Sequence, residues 1–389
     1  MKKVLFVTYD FPYPTNTGGK NRAYHTLKHS GADIKKYLFS FVRDGSWRDS
    51  VVEMEKIGVE VVGTRVRKKV NDFTNLLGLF SGGSIFKTLY YSEPVANDLL
   101  RIIHEKKIDI VHFESFYTAF YISEQIRNLN TKQIFGTENI EYQLYGEYAK
   151  NANFFLRPLY KFQADKIREE EISLFKKADL CIAVSDADAK VVKEYARECE
   201  VIRNGVDIDA YKFNLPKNKK GTELLFVGNF TYFPNVDAIN YFYNSVFKEL
   251  DDDIALTIIG KNAKNLKLAD DKRVVIREFV PKIQDEYKNA DVMVAPIRLG
   301  GGTNFKVLES MAAGVPVISL PQRLEGLDVR DGKHLVVVIE GSDFKPKLEN
   351  LLNDLELRKK LAKNARELVE HEYSWKIIGN NLNTVWNNL

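Results

Sequence analysis

Short apolar runs recur along this chain without polar alternation, each followed by a longer stretch of helical periodicity, and the series occurs twice. The first series is KVLFVTY (3–9), YLFSFV (37–42), VEVVGT (59–64), IDIVHFE (108–114), QIFGTE (133–138), LCIAVS (180–185) and CEVIRNG (199–205). The second is ELLFVGNF (223–230), IALTIIG, RVVIREFV, DVMVAPI, VPVISL and HLVVVI. A strand with one wet face alternates. A run that does not alternate suits a strand covered on both faces, as in a parallel sheet between helical layers. The pattern predicts an α/β chain of two doubly wound, Rossmann-like domains in tandem, and 389 residues are too many for one ordinary core. The polar, turn-rich stretch around RNGVD and LPKNKKG (203–222) divides them. We place the domains at 1–203 and 204–370. Helices are expected at 161–177, at 186–198 with Ser185 as cap and Asp188 three residues on, and at 235–250. The C-terminal tail reads as helical, interrupted near Glu372–Ser374.

Such sheets bind ligands beyond the carboxyl ends of their strands, and tandem domains imply a cleft. Functional residues are therefore sought at 10–22, 112–118, 137–141, 203–207, 228–235, 277–283 and 296–309. Composition excludes several classes of function. The net charge is +4, from 57 basic and 53 acidic side chains, which is too little excess for a nucleic-acid binder. The two cysteines, Cys181 and Cys199, form no CxxC, so a disulfide framework or zinc site is not expected and a reducing compartment is. The N-terminal apolar run is too short for a signal h-region, and no run reaches the ~18 apolar residues of a membrane span. A cytoplasmic location is expected.

The segment RLGGGTNFKVLESMAAGVPVIS (298–319) concentrates the chemistry. Gly300, Gly301 and Gly302 follow a strand and lead into a helix of about 304–313. Glycine lets backbone approach a ligand closely, and a helix N-terminus offers free N–H groups and a positive dipole end to phosphate. Thr303 or Asn304 can cap the helix, and Gly314 fits its C-terminal stop, with Pro316 beyond. The alternative is a plain strand–helix turn. Gly18 and Gly19 lie in a second loop of this kind, TNTGGKNRAYH (15–25), with Lys20 and Arg22 adding charge. His112 closes IDIVHFE beside Glu114 and is read either as a packed histidine or as a cleft residue.

APIRLGGGTNFKVLESMAAGVPVIS followed by EGLDVRDGKHL closely resembles the donor-site segment of GT-B-fold, nucleotide-sugar-dependent glycosyltransferases, above all the retaining family 4 group. VIRNGVD resembles that family's interdomain segment, LLFVGNFTYFPNVDAINYF the first strand and helix of its C-terminal domain, and REFVPKIQDEYKNADVMVAP the stretch after it. The resemblance implies a metal-independent enzyme that moves a sugar from a nucleotide-diphosphate donor to an acceptor hydroxyl with retention, as in bacterial polysaccharide or glycoconjugate synthesis. Its N-terminal domain would hold a sugar or lipid-linked sugar acceptor, and 371–389 would pack back onto that domain. No metal and no cofactor beyond the donor are implied.

On the same resemblance Glu309 matches the glutamate that binds the donor ribose. Gly301, Gly302 and Thr303 match donor-contacting backbone. Gly228, Asn229, Phe279 and Val280, together with Gly18, Gly19 and Asn304, fall in donor-binding loops. Lys306 is either a phosphate ligand or a partner for Glu309, and Arg298 is a second phosphate candidate. Two departures stand out. The family's first donor-site glutamate falls at Gly301, and GTENIEYQLY (136–145) places Glu138 where relatives carry a histidine. Glu138 is the candidate replacement, with His112 and Lys306 as the other catalytic candidates. The family's Arg–Lys pair after "VG" is absent, so Lys306, Arg298, Lys20 and Arg22 are left to meet diphosphate charge. The alternatives are a nucleotide-sugar-binding protein impaired in catalysis and a GT-B nucleotide-sugar epimerase. RVRKKV (65–70) and FTNLLGLF (73–80) read as a solvated face or as a peripheral contact with the inner face of a membrane.

Overall fold

A computed structural model describes residues 1–43, 45–68, 83–151, 153–217, 220–268, 271–299, 304–321, 324, 326–339, 341 and 343–389. The apolar run 73–80 and residues 69–70 of the basic run lie outside them. The chain divides into two compact units. The first is Met1–Arg203 with Ile378–Leu389, and the second is Asn204–Ile377.

The first unit is built on strands β1 (Lys2–Thr8), β2 (Ile34–Val42), β3 (Val59–Val66), β4 (Ile110–Glu114), β5 (Lys132–Gly136), β6 (Leu180–Ala183) and β7 (Cys199–Val201). All pair in parallel, in the order β3-β2-β1-β4-β5-β6-β7. The order reverses between β1 and β4, so the loops after these strands diverge there and open a crevice. Burial explains the missing alternation. Val4, Leu5, Phe6 and Val7 are all buried, with Leu5 and Val7 packed in one core with Val111, Phe113 and Phe135. On the other face, Phe6 meets the His112 ring at 4.6 Å and the Trp386 ring at 6.2 Å. Trp386 comes from the last helix, Trp375–Asn388, whose final carbonyls accept from Lys2 Nζ at 3.0 and 2.8 Å. A cation placed there also complements the negative end of the helix dipole.

The second unit carries β8 (Glu223–Val227), β9 (Ala255–Ile259), β10 (Val274–Arg277), β11 (Val292–Ala295), β12 (Val317–Ser319) and β13 (Val336–Val337). Their order is β10-β9-β8-β11-β12-β13, all parallel, with the reversal between β8 and β11. Its sheet is buried on both sides: Leu224 and Phe226 face one core, Leu225 and Met293 the other. The fold is thus α/β with two doubly wound parallel sheets.

Several helix boundaries differ from the sequence reading: the helix expected at 161–177 is Arg157–Lys177, and the one expected at 235–250 is Phe233–Ser245. The helix at Ser185 does begin there, with its Oγ accepting from Asp188 N at 3.0 Å, but it ends at Val192 rather than 198. The C-terminal region is broken at Asp354 as well as near Ser374. Asp354 accepts from Leu357 N at 2.8 Å and so starts a new helix, Leu355–Glu372.

Candidate functional site

At the β1/β4 reversal a group of carboxylates gathers. The loop after β1 ends at Thr17, which caps the helix Gly18–His29, so both glycines are the first helical residues rather than loop residues. A Cβ on Gly19 would fall 2.3 Å from Tyr9 Oη and 2.7 Å from Glu138 Oε1, so only glycine lets the helix start approach these two groups. Tyr9 donates to Glu138 Oε2 at 3.3 Å. The other oxygen, Oε1, is buried without a hydrogen-bond partner among the described residues. Burial, reinforced by the neighbouring Glu114 charge, pushes the Glu138 carboxyl up to about 8. We expect Gly19→Ala to lower stability by about 1–3 kcal/mol in a urea titration, since Tyr9 and Glu138 must both give way.

Behind Glu138 lies a fully buried ion pair. Arg22 Nε donates to Glu114 Oε1 at 2.6 Å, and Arg22 Nη1 donates to the carbonyls of Ile202 and Arg203 at 3.1 and 3.3 Å. Burial alone would raise Glu114, but Arg22 and His112 outweigh it and hold this carboxyl down at about 2. The reading of Arg22 as a phosphate cation is corrected: it is 2% exposed and bound to Glu114. Arg22→Met would leave Glu114 charged and unpaired in the interior, an expected loss of roughly 3–5 kcal/mol, measurable as a lower denaturation midpoint. Lys20 is likewise in an ion pair, 3.7 Å from Asp10 Oδ1, with Arg43 3.2 Å from the other oxygen.

His112 does not end its strand. It sits in the middle of β4, opposite Phe6 and Ile134, and is wholly buried. The Trp386 indole N–H donates to its Nδ1 at 3.3 Å, which puts the ring proton on Nε2, 3.0 Å from Glu114 Oε2. Its geometry is that of a support for Glu114. Gly136 makes room for this pair, since a Cβ there would fall 2.6 Å from His112 Nε2. Past Glu138, burial raises Glu141 to about 7, partly offset by hydrogen bonds from Asn139 and Tyr117. Glu171 is buried and accepts from the N–H groups of Glu141 and Tyr142 at 3.0 and 2.9 Å, capping the helix that begins there.

In the second unit Gly300, Gly301, Gly302 and Thr303 lie outside the described residues. The helix they lead into, Phe305–Ala313, starts at a buried Asn304 that makes no side-chain cap and ends at Gly314 with φ +82°. Its half-buried Glu309 is held from the side: the Tyr287 hydroxyl donates to Oε2 at 2.8 Å, and Tyr211 also hydrogen-bonds the carboxyl. Burial raises the pKa of Glu309, while the two phenols and Lys306 pull it back. Lys306 donates to Asn235 Oδ1 at 2.9 Å and lies over the Phe226 ring at 4.4 Å. Arg298 makes a forked pair with Asp237, at 3.1 and 2.7 Å, above the Tyr241 ring.

Gly228 packs under Asn235, whose Nδ2 donates to the Asn229 carbonyl at 2.9 Å, while Asn229 Oδ1 accepts from Thr231 N at 3.0 Å and Thr231 Oγ1 at 2.8 Å. Phe279, just past β10, is 82% exposed, while Val280 packs partly into the core beside Tyr287. Among the described residues no group of three or more His, Cys, Asp or Glu side chains could hold a metal ion.

Residues 59–210 match the model of Glycosyltransferase Family 4, and residues 221–354 match that of the group 1 glycosyl transferases. The second match lies inside the second unit, and the first covers mostly the first unit and runs on past Arg203 to residue 210. The chain belongs to the family 4-like GT-B glycosyltransferases. A Klebsiella pneumoniae relative, an uncharacterized 44.6 kDa protein in the cps region, is 23% identical over 399 aligned positions, covering 97% of each chain. The capsular polysaccharide biosynthesis glycosyltransferase CapM of Staphylococcus aureus is 31% identical over 125 positions, 31% of this chain and 32% of that one. Among solved structures, HepE of Anabaena in complex with UDP superposes over the whole of both chains with a TM-score of 0.70 at 14% identity. Sucrose-phosphate synthase of Thermosynechococcus elongatus gives 0.73 at 15%, covering 100% of this chain and 99% of that one. At these identities the structural likeness speaks to the fold.

Sequence reasoning missed several residues of this glycosyltransferase's candidate site. Tyr9, Tyr211 and Tyr287 are isolated tyrosines with no motif. They become meaningful only when the fold brings them to Glu138 or Glu309. Trp386 reaches His112 from 274 residues away. The raised position of Tyr9 and Tyr287, through burial and the adjoining glutamate, keeps both as hydroxyl donors.

Proposed function

We propose that this glycosyltransferase takes its sugar from a nucleoside-diphosphate sugar, transfers it to an acceptor hydroxyl with retention, and serves polysaccharide or glycoconjugate synthesis. The observation that carries the donor reading is Glu309. It lies half-buried on the helix behind the glycine loop, fixed by two phenols so that further lone pairs remain for a diol. HepE has been crystallised with UDP, with UDP and glucose, and with UDP-glucose, which supports the same donor class here. CapM's role in capsular polysaccharide biosynthesis supports the pathway class.

In this reading the bond from the anomeric carbon to the diphosphate breaks and its electron pair leaves with the diphosphate. The acceptor oxygen bonds the same face of that carbon, and its proton passes to a departing phosphate oxygen. Arg298 is largely neutralised by Asp237, so Lys306, which donates to Asn235 and lies over the Phe226 ring, supplies positive side-chain charge in the first turn of the helix Phe305–Ala313. Glu138 polarises the acceptor hydroxyl. Glu114, His112 and Arg22 fix the wall behind it. No cofactor beyond the donor is required in this scheme. The testing experiment is a thermal-shift screen of UDP-, GDP- and ADP-sugars. One nucleotide class should raise the melting temperature well above the others. No shift with any class contradicts the donor reading.

A further inference from the structure

The helix Arg157–Lys177 is anchored by one face only. Gln163, Ala164, Ile167, Glu171, Leu174 and Phe175 are buried at helical spacing, but every residue from 153 to 162 is exposed. This projecting segment is NFFLRPLYKF. Phe154 is 79% exposed and Phe155 86%, and Leu156, Leu159, Tyr160 and Phe162 are each more than two-fifths exposed. The side chains do not shelter one another: Phe154 and Phe155 meet only edge-on, at 5.7 Å between ring centres. The turn that presents them is fixed, since Asn153 O accepts from Leu156 N and Arg157 N at 2.9 Å each and Asn153 Oδ1 from Phe155 N at 3.3 Å.

A contiguous exposed apolar surface on a folded protein marks an interaction site. The charges say which kind. The only Lys, Arg, Asp or Glu side chains within 153–162 are Arg157 and Lys161, Lys150 precedes them, and acids resume at Asp165. Aromatic and aliphatic side chains interleaved with cations are the composition that seats at a lipid headgroup boundary, with rings entering the acyl edge and cations meeting anionic headgroups.

We propose that residues 153–162 dock this glycosyltransferase on an anionic lipid bilayer. The assignment stands on this surface alone and does not depend on the donor reading. It relocates the membrane contact from the 65–80 segment considered from sequence.

Co-sedimentation of the full chain with vesicles tests it, using phosphatidylcholine alone against phosphatidylcholine mixed with phosphatidylglycerol. The chain should partition onto the mixed vesicles and lose that binding at high salt. The double variants Phe154→Ser with Phe155→Ser, and Arg157→Glu with Lys161→Glu, should each weaken partitioning on the order of ten-fold. Because these side chains are exposed, the melting temperature and nucleoside-diphosphate release from a soluble donor should be unchanged in both. Equal partitioning of variants and parent overturns the proposal, as does no binding to either vesicle. A concentration-dependent dimer that the phenylalanine variant dissolves, without vesicle binding, overturns it in favour of a second copy.

Discussion

Glu309→Ala is expected to weaken binding of the nucleotide-sugar donor on the order of 100-fold, about 3 kcal/mol by the worth of hydrogen bonds to a charged group. The carboxyl sits half-buried on the helix that follows the glycine loop, and Tyr287 and Tyr211 hold it in one orientation. A diol bound there makes two charge-assisted bonds, and removing the acceptor leaves both hydroxyls desolvated and unpaired. The two tyrosines lose their acceptor as well, so a smaller fall in stability, roughly 1–2 kcal/mol, accompanies the loss of binding. Glu309→Gln keeps one acceptor oxygen and is expected to fall between the parent and the alanine variant. Isothermal titration with the donor identified by thermal shift measures all three. Unaltered affinity in Glu309→Ala removes the ribose assignment.

Glu138→Gln is expected to lower kcat by about 100- to 1,000-fold with little change in donor affinity, the range typical of a positioned acid–base group. The pH dependence follows from the raised carboxyl. With its midpoint at about 8, Glu138 is mostly protonated at neutral pH and ionises as pH rises. If the ionised form polarises the acceptor hydroxyl, the rate climbs from pH 6.5 through about 8 and then levels. Glutamine cannot titrate, so the variant's residual rate should lack this limb. A Glu138→Gln enzyme with parental kcat and the same pH profile makes Glu138 a structural residue that only accepts from Tyr9.

The sheets were legible because parallel strands covered on both faces must be apolar throughout, and that leaves a mark needing no tertiary knowledge. β1 and β8 show it, each a short apolar run ending at a polar turn. Gly314 was legible as a helix stop because its left-handed backbone, φ +82°, selects glycine. The site was legible only in part. Glu309 and Glu138 could be named as candidates, the first on the helix after the glycine run and the second in the turn after β5. Their surroundings could not, because Tyr211, Tyr287, Tyr9 and Trp386 act through contacts that the fold creates across long stretches of chain.

The cations were the weakest part of the sequence reading. Sequence counts Lys20, Arg22, Arg298 and Lys306 as equal sources of positive potential. Folding pairs the first three with Asp10, Glu114 and Asp237. A positive side chain in a ligand-binding loop reports charge, but its partner decides whether that charge faces a ligand. His112 carries a related lesson: its place in the middle of β4, two residues before the strand ends at Glu114, makes it a buried support rather than a cleft histidine.

The measurement closest to the central claim is time-resolved proton NMR of the full-length protein with the donor that shifts its melting temperature. The account predicts slow cleavage with release of nucleoside diphosphate, the sugar appearing first in the same anomeric configuration it had in the donor, and Glu309→Ala abolishing the reaction at the same donor concentration. Tight binding without cleavage, conversion of the sugar with the diphosphate bond intact, or first appearance of the inverted anomer would contradict it.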